Sequence, residues 1–162
     1  MATWKVVAAP KRGSTEVGYG WCLLRKIDPL DGISDDVLWG HLPSSAIDWA
    51  VSADGLRVVL VSSEGRASVL NLATGELTEL SDLGDGRPRA ATWALDGSLI
   101  VSSFWSGGRV GSILHADLEG NTYVLWTSES GFARGSSVSP DGGHLAFSQV
   151  RHDADIWLLE PR

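Results

Sequence analysis

Four histidines are the most versatile chemical groups in this chain: His41, His115, His144 and His152. An imidazole can hold a metal or move a proton near neutral pH. Either task needs several such groups to converge on one point. The single cysteine, Cys22, lies in the apolar run Trp21-Cys22-Leu23-Leu24 and reads as core filler rather than as a nucleophile. One cysteine also excludes a disulfide framework and a Cys-based zinc site within one chain. Asp28, Asp31, Asp35 and Asp36 form a local acidic cluster. Calcium loops alternate oxygen ligands around a glycine, whereas Asp28 and Asp31 flank a turn containing Pro29, so these aspartates are expected to shape a turn. The sequence holds no G-x-S-x-G elbow, no G-x-G-x-x-G fingerprint, no phosphate loop and no H-E-x-x-H pair. No metal and no cofactor are expected.

A second group of residues suits binding rather than catalysis. Residues 103–109 read Ser-Phe-Trp-Ser-Gly-Gly-Arg and carry Trp105 and Arg109. Arg66, Arg151 and His152 follow comparable apolar runs. Tryptophan and arginine are the commonest anchors of binding surfaces, and a guanidinium forks onto carboxylates. The chain as a whole is acidic, with 13 Lys+Arg against 20 Asp+Glu and a net charge of −7. That balance argues against a nucleic-acid partner, which needs a basic face. No stretch approaches the roughly eighteen apolar residues of a membrane span, and no basic amphipathic stretch suggests a membrane surface. The short apolar run at 6–9 precedes the basic pair Lys11-Arg12, the reverse of a secretory signal, so a cytoplasmic location is expected.

These residues must be positioned by short strands. The 162 residues suit one domain, and 19 glycines with only 6 prolines imply many tight turns. Internal repetition supplies the frame. Ser52-Ala53-Asp54-Gly55 recurs as Ala94-Leu95-Asp96-Gly97 and as Ser139-Pro140-Asp141-Gly142. The aspartates are 42 and 45 residues apart. An apolar residue precedes each turn at the same offset (Val51, Trp93, Val138), and an apolar run follows it. An Asp-Gly turn between two such runs signals a hairpin. A second mark runs in phase: Asp28 to Gly32, Asn71 to Gly75, Asp117 to Gly120.

Together the two marks define a four-stranded unit, clearest with strands A to D at 46–51, 56–62, 67–72 and 76–80. The copies span 3–43, 46–80, 89–126 and 133–162, the first with residues 10–13 as its A–B turn and the last without a strand D. No segment shows a sustained helical period. Four-stranded units of this length are the signature of β-propeller blades; a stacked β-solenoid, with shorter repeats, is the alternative. In this frame the four histidines fall at four different places in the repeat. They are not expected to converge. Trp93 and Trp157 are expected to pack between blades.

The last copy carries the most specific resemblance. Ser139-Pro140-Asp141-Gly142, then Leu145-Ala146-Phe147-Ser148, then Asp155-Ile156-Trp157-Leu158 resembles the WD40-like PD40 repeat of TolB-type propellers. Relatives of that type are often periplasmic. True WD40 repeats end strand C with Trp-Asp, a dipeptide absent here, and sialidase-type Asp boxes place a residue between Asp and Gly. The resemblance implies an all-β, propeller-type array of about four blades in one domain, fewer than the usual six or more. An open array leaves a strand edge unpaired. Thr3–Ala9 closing a small ring, a second copy completing a larger ring, or a longer parent would each resolve it. In such propellers the B–C and D–A loops share the face where binding usually occurs. Arg66, Trp105, Arg109, Arg151 and His152 would lie there. A binding module for a protein or a small acidic ligand is therefore expected. A propeller-scaffold glycoside hydrolase or lyase, and a structural half-propeller completed by self-association, are the alternatives.

Overall fold

The structure is a computed structural model, and it describes residues 3–9, 21–28, 32–33, 46–81, 83–84, 86–105 and 110–151. Every described element is a strand. The second blade is β4 (Ala46–Val51), β5 (Arg57–Ser62), β6 (Ala67–Asn71) and β7 (Leu77–Leu80), joined as an antiparallel meander. The third repeats it with β8 (Arg87–Trp93), β9 (Leu99–Phe104), β10 (Gly111–Ala116) and β11 (Thr122–Ser128). The fourth shows its first two strands, β12 (Phe132–Val138) and β13 (Leu145–Val150). Its expected strand C, with Trp157, lies outside the described residues. The Asp-Gly turns separate β4 from β5, β8 from β9 and β12 from β13, and the Asn/Asp-to-Gly turns separate β6 from β7 and β10 from β11.

The first blade departs from expectation. β1 (Thr3–Ala9) pairs along its whole length with β2 (Trp21–Asp28), and β3 (Gly32–Ile33) follows on the other side. β2 holds the strand C position, so β1 occupies position B rather than A. Its seven-residue register with β2 commits it to the first blade, which corrects the notion that Thr3–Ala9 closes a ring as the outer strand of the last. Cys22 sits opposite Ala8 in this pair. Asp31, Asp35, Asp36 and His41 lie outside the described residues.

The core lies between blades. Val59, Val61 and Val69 of the second blade meet Trp93, Leu99 and Val101 of the third. A smaller cluster joins Ile100 and Ile113 to Ala133 of the fourth, flanked by Trp126, Val138 and Leu145. Alternation in β9 explains the division: Leu99 and Val101 face back while Ile100 faces forward. A strand buried on both faces reads as a continuous apolar run, as Leu99-Ile100-Val101 does. Neighbouring inner strands are also tied by polar contacts one repeat apart. The indole Nε1 of Trp93 donates to Ala50 O (2.9 Å), and Ala91 N donates to Asp48 Oδ2 (3.0 Å). Burial raises the Asp48 pKa, opposed by the Ala91 and Trp49 amides.

Candidate functional site

Each Asp-Gly turn builds the same local cap. In the second blade Ser52 Oγ donates to Asp54 Oδ1, the Leu56 amide donates to the same carboxylate oxygen, and Ser52 N closes the turn on Arg57 O (2.9 Å). The fourth blade repeats it with Ser139, Asp141 and His144. Gly55 and Gly142 take positive φ, 71° and 72°, which is why glycine follows the aspartate. The third blade has Ala94 in place of the serine and a turn one residue shorter, closing from Ala94 N to Ser98 O (2.9 Å). Ser98 supplies the missing hydroxyl to Asp96. All three carboxylates have lowered pKa values, first because a serine hydroxyl donates to them.

Two of these turns, in the third and fourth blades, border a groove of about 490 Å³. Leu95, Ile100, Leu125, Val138 and Leu145 give it an apolar wall. Asp96, Asp141, His115 and His144 supply its polar groups, and among the described residues no lysine or arginine lines it. Apolar pockets of this size with a few convergent polar groups are the usual form of ligand sites.

Ser98, His115 and Asp96 have the residue types of a hydrolase triad, but their geometry is different. A triad places the imidazole between serine and carboxylate, one on each ring nitrogen. Here Ser98 Oγ lies 2.7 Å from His115 Nε2, and Asp96 Oδ2 lies 3.9 Å from that same nitrogen. The single serine proton is engaged by Asp96 Oδ1, so His115 Nε2 must donate to Ser98 rather than take a proton from it. Ser98 is also buried, and the His115 ring stacks on Tyr123 at 4.5 Å. Serine and carboxylate therefore share one nitrogen of His115, and no imidazole nitrogen is placed to take the Ser98 proton. At the groove rim the exposed His144 ring places Nδ1 3.9 Å from Asp141 Oδ1.

Of the residues expected to bind, Arg66, Trp105 and Arg151 lie at the opposite end of the blades. Arg66 is exposed and engaged by Glu79 (3.4 Å) and Glu64 (3.6 Å). Trp105 is 43% exposed, and its amide donates to Val110 O (3.1 Å). Val110 bridges Gly131, whose backbone lies against Val150 O and the stem of Arg151. Trp105 of the third blade and Arg151 of the fourth are thus linked through Val110 and Gly131, while Arg66 lies on the second blade. Arg109 and His152 lie outside the described residues. Arg89 stacks its guanidinium on Phe104 at 4.3 Å.

Sequence reasoning missed the groove because it treated the end of strand C and the start of strand B as different places. In an antiparallel meander they are the same end of the sheet, and His115 and His144 both reach it. Among the described residues, no group of three or more His, Cys, Asp or Glu is placed to hold a metal.

No protein-family model matches the sequence, and no curated protein matches it. Solved structures do. A chain of the nidogen/laminin complex aligns with TM-score 0.62 at 17% identity over 79% of this chain and 49% of its own. A gluconolactonase from Xanthomonas campestris aligns with TM-score 0.61 at 17% identity over 91% of this chain and 50% of its own. The periplasmic gluconolactonase of Pseudomonas aeruginosa aligns with TM-score 0.53 at 17% identity over 92% and 47%. The chain therefore spans about half the length of the structures it matches. At such identity the likeness concerns fold, and the fold is that of a partial β-propeller.

Proposed function

We propose that this chain is a non-catalytic binding module, built on PD40-type repeats of the TolB kind, that recognises its partner in the groove between the third and fourth blades. The observation that carries this reading is the groove itself: an apolar wall and two carboxylates held anionic by their own turns, at the seam of two blades. The arrangement at His115 supports binding over hydrolysis, since serine and carboxylate share one imidazole nitrogen. A lactonase, glycosidase or lyase reading would rest on the scaffold alone, and propellers host unrelated activities.

Protein-observed NMR with a fragment library tests the reading. Binders should concentrate their shifts on Ile100, His115, Leu125 and Val138. Shifts gathered on Trp105 and Arg151 would return the site to the other end. That outcome is the second reading, a protein or acidic ligand on the loop face, favoured by the exposure of Trp105 and its link to Arg151 through Val110 and Gly131.

A further inference from the structure

The repeat contains an internal control for the groove. Turn closure makes Arg57 of the second blade the counterpart of Ser98 of the third, since each accepts the closing bond from the residue that opens its turn. Arg57 reaches forward to the next blade. Its guanidinium lies 4.8 Å from the Trp93 ring centre and 3.7 Å from Asp54 Oδ2. Its Nη2 also lies 3.1 Å from where a Cβ on Gly97 would stand. The junction of the second and third blades is therefore filled by a guanidinium packed between a carboxylate, an aromatic face and a glycine turn.

At the next junction the same places are held by smaller or uncharged groups. Ser98 replaces the arginine, and Val138 stands at the apolar position before the turn that Trp93 fills in the third blade. Leu95 takes over the contact with the glycine turn, its Cδ1 2.9 Å from the Cβ position of Gly142. The carboxylate remains, as Asp96, and Asp141 joins it on the groove wall. The groove is what this junction looks like without its cation.

We propose that the groove takes an arginine or lysine side chain of a partner peptide, which supplies in trans the cation that Arg57 supplies in cis one blade earlier. This rests on the groove being the binding site. Charge complementarity chooses the occupant: among the described residues the lining offers two anionic carboxylates and no fixed cation. The apolar wall fits the aliphatic stem and the flanking residues of such a peptide. A peptide bearing an acidic side chain would meet like charge there.

The test is a titration of the full chain with the peptide acetyl-Ala-Leu-Arg-Leu-Ala-amide and with its citrulline counterpart, which keeps the shape and removes the charge. Resonances of the His115 ring and of the Leu125 and Val138 methyls report binding. The arginine peptide should bind about tenfold more tightly than the citrulline peptide, and Asp96→Asn with Asp141→Asn should erase the difference. Equal affinities would overturn the charge inference and leave the groove standing as a site. Binding of neither peptide at millimolar concentration, or shifts confined to Trp105 and Arg151, would overturn this inference; the second result would also overturn the groove reading. The peptide comparison in the unaltered protein decides the matter even where the double variant fails to fold.

Discussion

The two inter-blade junctions are built from one repeat and end up as opposites. Between the second and third blades, Trp93 is buried to 7% exposure, its indole bonded to Ala50 O, and Arg57 covers its ring. Between the third and fourth, Ser98, His115 and Val138 leave an open groove. The strand order is the same, but the turn of the third blade is one residue shorter, and Ser98 and Val138 stand where Arg57 and Trp93 fill the earlier junction. A seam between blades thus opens into a groove when its filling side chains are replaced by smaller ones.

Breaking the filled junction should cost most. Trp93→Ala removes a large buried ring and a hydrogen bond between inner strands, and should destabilise the fold by about 3–5 kcal/mol in urea denaturation. Asp48→Ala comes next. It strips the Ala91 amide of its acceptor at a half-buried position, an expected loss of about 1–3 kcal/mol in the same measurement. Arg57→Ser sharpens the comparison most. Arg57 is partly exposed, so its removal should cost at most about 1 kcal/mol. It should also open a second groove, seen as a second arginine-peptide site by NMR.

The smallest effect is the pH dependence of the turn carboxylates. Asp54, Asp96 and Asp141 have folded pKa values below their unfolded ones. Their contribution is present above the ordinary carboxylate pKa of about 3.9 and is lost as pH falls through the lower folded values. Asp48 works in the opposite sense: its raised pKa favours the folded state at low pH and loses that contribution as pH rises through the folded value. Stability measured from pH 7 down to pH 2 should therefore fall in acid, and replacing Asp54 and Asp141 with Asn should flatten the fall.

Much of the fold was legible because turns announce themselves. Asp-Gly at three positions placed the hairpins β4–β5, β8–β9 and β12–β13, and the apolar runs at Val58 and Leu99 that follow the first two turns are buried strands. The first blade was misread because residues 10–13 resemble a turn between adjacent strands, whereas Thr3–Ala9 pairs with Trp21–Asp28. Trp93 was rightly placed between blades. The groove was not legible, since it depends on which side chains fail to fill a seam, and a single sequence does not display emptiness. The signal was nonetheless present: Arg57 and Ser98 occupy one repeat position, and the change from a long cation to a short hydroxyl marks the open junction.

The most direct test is a crystal structure of the full chain soaked with the arginine peptide. The account predicts guanidinium density in the groove of the third and fourth blades, against Asp96 or Asp141, with Arg57 still seated over Trp93. Peptide density at Trp105 and Arg151, with the groove holding only solvent, would contradict it.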